Sequence, residues 1–236
     1  MRFKEISMEW YDPYDADVAR RLISEGVDAG EARRNASLGR WASGRFSDMA
    51  SCVTSMVERL ADPYPYCDFR RLIVQCRSEF CEERLTLAAE GSRVAIIPCD
   101  PAPIFAMGDR ARKEAVLKIV RRALHMLERE GIEVAPMSRA CDAAAAADLE
   151  NMWRWRRKPS PSRSKTAEVL VSHDTEAMGA RLIVWGHRGQ MIRSARIAEE
   201  APSELGLYKF LGDLAWEGET VVVSSRYGFQ FRLDTA

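Results

Sequence analysis

The segment that most constrains this chain runs Leu149-Glu150-Asn151-Met152-Trp153-Arg154-Trp155-Arg156-Arg157-Lys158 and then Pro159-Ser160-Pro161-Ser162-Arg163-Ser164-Lys165. Proline cannot donate the helical hydrogen bond, and it pushes its predecessor out of the helical region. A helix here is therefore expected to end ahead of Pro159. With Asp142 as N-cap and residues 143–157 as its body, the segment reads as an amphipathic helix that runs into a basic Pro/Ser linker. It separates an N-terminal lobe, residues 1–140, from a C-terminal lobe, residues 141–236.

Each lobe reads as α+β. In the first, helices are expected over residues 15–25, 28–41 and 47–60. The last of these repeats Met49, Cys52, Val53, Met56, Val57 and Leu60 at three- and four-residue steps, one apolar face, and Asp62-Pro63-Tyr64-Pro65 stops it. Strands follow at 69–76, 83–89 and 93–98, the latter two joined at Glu90-Gly91-Ser92, and an antiparallel meander is the simplest pairing. A long helix then spans 109–130, with Gly131 where a left-handed cap falls. The second lobe offers strands at 167–172, 180–185 and 190–197, a helix at 203–216, and a hairpin of 220–225 with 229–233 around Tyr227-Gly228. Two lobes, each an antiparallel meander packed with helices, raise the expectation of an internal duplication. Arg-Leu-Ile-Val occurs at Arg71 to Val74 and again at Arg181 to Val184, although Leu-Ile-Val is also what any buried strand looks like.

Composition excludes several classes of function. The chain has 236 residues, 47% of them hydrophobic, ample for a core without covalent staples. Its 35 Lys/Arg balance 35 Asp/Glu, so no global field draws it onto nucleic acid or an anionic membrane. Met1-Arg2-Phe3-Lys4-Glu5 carries charge where a signal peptide needs an apolar run, and no stretch approaches the ~18 apolar residues of a membrane span. The expected location is cytoplasmic, without membrane contact, and the Ala/Arg-rich usage is that of a bacterial protein from a GC-rich genome. Cys52, Cys67, Cys76, Cys81, Cys99 and Cys141 are expected as reduced thiols in apolar surroundings.

Motifs that would name a reaction are missing or incomplete. Cys76-x4-Cys81 has near-zinc spacing, but Cys67 and Cys99 do not supply a second close pair, so no metal is expected. Ser172-His173-Asp174 holds the residue types of a hydrolase triad, yet neighbours on an extended chain point to opposite faces. His187, in Gly186-His187-Arg188-Gly189, reads as a turn residue able to meet an acid from elsewhere. Glu79, Glu82 and Glu83 are interleaved with Arg77 and Arg84, as at a solvated hairpin end. Neither a glycine-rich dinucleotide loop nor a phosphate loop occurs, and no cofactor is expected. The two helices either side of Gly26 have helix-turn-helix spacing but lack a third helix in register.

Two binding surfaces remain. One is the helix start at Arg110, Arg112 and Lys113, where free amides and the dipole favour an anion. The other is Trp153, Arg154, Trp155, Arg156 and Arg157. On a helix Trp155 points away from the face of Leu149, Met152, Trp153 and Arg156, and an exposed Trp among arginines has the composition of an interface anchor. The functional expectation is a non-enzymatic protein-binding module, for example an inhibitor, immunity protein or antitoxin that neutralises a partner. The alternative is a binder or enzyme for nucleic acid or a phosphate ligand, using the same cations with aromatics as base platforms.

Overall fold

The computed structural model describes residues 5–11, 14–61, 69–77, 81–88 and 91–235, apart from the side chain of residue 16. Met1 to Lys4, the Asp62-Pro63-Tyr64-Pro65 stop, Cys67, Glu79 and Glu90 lie outside them. The chain divides into two compact units, Met1–Leu149 and Glu150–Ala236.

The first unit is a mixed sheet packed against helices. Its elements are β1 Glu5–Tyr11, α1 Ala16–Ser24, α2 Ala29–Asn35, α3 Gly39–Ala61, β2 Arg71–Arg77, β3 Arg84–Ala88, β4 Ser92–Pro98, a short three-ten helix Ala102–Ala106, α4 Asp109–Arg129 and α5 Ala135–Ala146. Asp15 and Asp28 cap α1 and α2, each accepting two backbone N–H groups of the first turn. Ile6, Met8 and Trp10 of β1 and Leu72, Val74 and Cys76 of β2 alternate into a core shared with Phe46 and Val53 of α3, Val120 and Leu124 of α4 and Met137 of α5. Gly131, at φ +75°, takes the left-handed position that ends α4.

One expectation is corrected here, and one element was missed. The first lobe is not an antiparallel meander, because the strand order is β1-β2-β4-β3 with β1, β2 and β4 parallel and only β3 antiparallel. The physical reason lies in β4, where Val94, Ala95, Ile96 and Ile97 are all buried. A strand buried on both sides belongs in the middle of a sheet, so β4 inserts between β2 and β3. β1 itself, whose Ile6, Met8 and Trp10 alternation predicts a strand, was hidden in a charged N-terminal stretch.

The second unit carries two antiparallel sheets. One is the meander β5 Met152–Pro159, β6 Lys165–His173, β7 Met178–Gly186 and β8 Met191–Glu200, in spatial order β5-β6-β7-β8. The other is β9 Asp213–Glu217, β10 Thr220–Ser224 and β11 Gln230–Asp234, in order β11-β10-β9, preceded by the single-turn α6 Glu204–Tyr208. Val169, Val171, Leu182 and Val184 from the first sheet meet Leu214, Val221 and Val223 from the second in one core. Lys165 Nζ ties the sheets together by donating to Glu219 Oε2 at 2.5 Å and to the Thr235 carbonyl at 2.9 Å.

The expected helix from Asp142 to Lys158 is replaced by three things. Asp142 sits inside α5, the chain leaves the helix through Asp148 and Leu149 at φ +52° and +57°, and residues from Met152 onward form β5. The Pro/Ser stretch is a hairpin turn, not a linker, since the Ser160 N–H donates to the Lys165 carbonyl at 2.9 Å. Helix 203–216 is likewise cut short. At Gly212 an added Cβ would lie 2.3 Å from the Ser224 carbonyl oxygen, a close approach that only glycine allows beside the β9–β10 pair. The two lobes share no strand order, and the repeated Arg-Leu-Ile-Val marks the inner strands β2 and β7.

Leu182→Ala, at a fully buried position of the second core, is expected to lower stability by about 2–5 kcal/mol. Leu170→Ala, outside that core, is expected to cost roughly 1 kcal/mol or less. Urea unfolding followed by tryptophan fluorescence reads both.

Candidate functional site

Pleating of β6 and β7 sorts the second unit's side chains onto two faces. Residues opposite one another across the ladder share a face, so the register defines rows across the sheet. On the face away from the core one row reads Arg154, Leu170, Arg181, Arg196. The next reads Arg157, Glu168, Ile183, Ser194, and the one beyond it Pro159, Thr166, Trp185, Met191. At a strand spacing of about 4.8 Å each row spans about 14 Å.

Four arginines thus surround an apolar centre of Leu170, Ile183 and Trp185, with Met152 and Met191 exposed at the margins. Glu168, the carboxylate of the Arg157 row, is buried and already taken by Arg154 Nε at 2.7 Å. Arg181 and Arg196 lie directly opposite each other, an arrangement of like charges that costs stability. Arg181 Nη1 donates to Ser194 Oγ at 3.3 Å, and Arg196 reaches Glu199 at 3.0 Å.

The structure separates the tryptophan–arginine cluster read from the sequence. Trp153 and Trp155 both turn inward and pack against the second core, because on a strand they are two residues apart. Trp155 is the extra residue of a bulge between Arg154 and Arg156 and lies 5.5 Å from the Tyr208 ring. The expectation that Trp155 points to solvent is therefore corrected. Its Nε1 is buried without a hydrogen-bond partner. Arg154 and Arg157 lie on the outer face, whereas Arg156 turns toward β9 and donates from Nε to the Gly212 carbonyl at 3.1 Å. The exposed tryptophan among the described residues is Trp41, 72% accessible, with the Arg45 guanidinium 5.4 Å from its ring. No sequence pattern had marked it.

At the start of α4 the cations are engaged within the first unit. Arg110 donates to Glu114 and Asp148, both at 3.0 Å, Arg112 to the Phe105 carbonyl at 2.9 Å, and the buried Lys113 pairs with Asp109 at 2.7 Å. A shallow cavity of about 290 Å³ adjoins Arg110, Lys118 and Arg121, but Arg121 is held by Asp142 at 2.7 Å.

Other candidates fall into structural places. His173 is buried on β6, Asp174 caps the following turn by accepting from the N–H groups of Glu176 and Ala177, and His187 is exposed in the β7–β8 turn. Glu83 pairs with Arg122, and Arg77 lies 4.1 Å from the Tyr11 ring. Among the described residues no group of three or more His, Cys, Asp or Glu converges as metal ligands would. The Cys76 thiol of β2 interacts with that of Cys99, just beyond β4. That interaction, with burial, pushes the Cys76 thiol up and, aided by Arg122, holds Cys99 below its ordinary value against desolvation. Burial raises Cys141 to about 11.

No protein-family model, curated protein or solved structure matches this chain significantly. The geometry of the outer β5–β8 face is therefore the basis for a functional reading.

Two outcomes test these placements. Trp155→Ala is expected to lower stability by roughly 2 kcal/mol or more, while Trp155→Phe costs little because no hydrogen bond is lost. Chemical denaturation compares them. In the native protein, iodoacetamide is expected to label Cys99 with an apparent pKa below that of an ordinary thiol, while Cys76 and Cys141 stay unlabelled until unfolding. Peptide mass spectrometry across a pH series measures this.

Proposed function

We propose that this chain is a non-enzymatic protein-binding module that docks an acidic surface of a protein partner on the outer face of β5–β8, as an inhibitor or immunity protein does. The observation that carries this reading is the Arg154, Leu170, Arg181, Arg196 row. Three arginines are aligned across one sheet face, two of them directly opposed; Arg154 and Arg196 draw on carboxylates of other rows, Glu168 and Glu199, and Arg181 reaches only the neutral Ser194 hydroxyl. Such a row costs the isolated protein stability, and a carboxylate-rich partner offsets that cost by pairing with the guanidinium groups bidentately. Trp185, Met152 and Met191 add the aromatic and thioether surface typical of interface centres.

The absence of net charge weighs against nucleic acid as the occupant. A polyanion would, however, meet the same guanidinium groups, so the test keeps both outcomes in view. Tagged protein is used for affinity capture from its native host, with and without nuclease, beside the double variant Arg157→Glu/Arg181→Glu. The expected result is a stoichiometric protein that survives nuclease, elutes with salt and is lost from the variant, while circular dichroism shows the variant folded. Captured material that disappears with nuclease would move the assignment to nucleic acid. A protein partner retained undiminished by the folded variant would remove this face from the assignment.

A further inference from the structure

Beyond the β5–β8 face lies its free edge. β5 runs beside β9, through the Arg156 bond to Gly212 and the Trp216 Nε1 bond to the Lys158 carbonyl at 3.1 Å. β8, at the opposite side of the sheet, pairs among the described residues with β7 alone. Alternate backbone N–H and C=O groups of an edge strand point away from its one neighbour, ready to pair with another chain. Met191, Ile192, Arg193 and Ser194 are all exposed, so side chains of both faces and the edge between them are open.

Register shifts place Ile192 and Ile197 as extra residues in β8. Between them Arg193 to Arg196 keep regular one-to-one pairing with Val184 to Arg181. Bulges are a common guard at sheet edges, and here they bound the usable ladder to four residues. Charge is the second guard. From Met178 to Ala198 the chain holds Arg181, Arg188, Arg193 and Arg196 and no Asp or Glu. A second copy of this edge would set arginine against arginine, so self-pairing is opposed. An extended acidic segment meets neither obstacle.

We propose that the β8 edge, at Arg193 to Arg196, binds an extended acidic segment of a protein partner as an added antiparallel or parallel strand. The added strand takes its backbone hydrogen bonds from the edge. Carboxylates on its outer-face positions lie beside Arg196 and the Arg181 that faces it. Small or apolar residues at the alternate positions lie beside Ala195. This rests on the protein-binding reading above and names the partner's chemistry and geometry.

The probe is a fluorescently labelled, N-acetylated and amidated peptide of four Glu-Val repeats, with its Lys-Val counterpart as control, titrated in anisotropy against the full chain. The expected result is saturable binding of the Glu-Val peptide and about tenfold or greater loss on Arg193→Glu/Arg196→Glu, with melting behaviour retained. Two further Glu-Val peptides carry backbone N-methyl groups in alternate phases. The phase that blocks the inward-pointing N–H groups is expected to abolish binding, while the other phase binds like the parent. If both N-methylated peptides bind as well as the parent, recognition is by charge alone and strand addition is overturned. Failure of the Glu-Val peptide to bind more tightly than the Lys-Val peptide overturns it as well. A partner captured through Arg157 and Arg181 would survive either result, so failure at the edge and failure of the protein-binding reading are told apart.

Discussion

Two-residue alternation along β6 and β7 is the constraint on which the second unit depends. Ala167, Val169 and Val171 on β6 and Met178, Ala180, Leu182 and Val184 on β7 all enter one core. Once those seven side chains are committed inward, every residue between them must face outward. A one-residue slip would exchange the faces, burying arginines and exposing the core, which the burial energy forbids. The arginine rows are thus a consequence of the core, and their position is as well determined as the core itself.

That coupling explains a feature that stability alone would not retain. Arg181 and Arg196 oppose each other on the ladder, and Glu168 is withdrawn from the face by its bond to Arg154. Protein cations elsewhere in the chain are neutralised locally, as Arg110, Lys113 and Arg121 are by Asp148, Asp109 and Asp142. On the outer face of the second unit Arg154 and Arg196 likewise pair with Glu168 and Glu199, while Arg181 donates to the neutral Ser194 hydroxyl.

Much of the second sheet was legible because its strands announce themselves. Residues 167–172, 180–185 and 190–197 are apolar or alternating runs bounded by turn residues; β6 and β7 contain the first two, and β8 takes in all of the third but Gln190. The candidate site was half legible. Arg154 and Arg157, named from the sequence, lie on the outer face, but Trp153 and Trp155 were read on a helical period when their own spacing is two. In Trp-Arg-Trp-Arg both periods fit three of four positions, and short segments do not distinguish them. Arg181 and Arg196 carried no local signal. They stand 15 positions apart, and only the β7–β8 ladder brings them together.

By itself the sequence determined the α+β class, helices beginning near Asp15 and Asp28 (though the expected 28–41 helix is broken between Asn35 and Gly39), the long α4 ending at Gly131, and the alternating strands of the second half. These rest on interactions between residues within about one or two helical turns or along one strand, which are written in local order. Only the tertiary structure decided that β4 lies between β2 and β3, that residues after Asp148 and Leu149 extend and do not coil, and that four arginines from three strands converge on one face. Those outcomes depend on which distant strand offers the larger buried apolar area, a competition settled between segments and not within them.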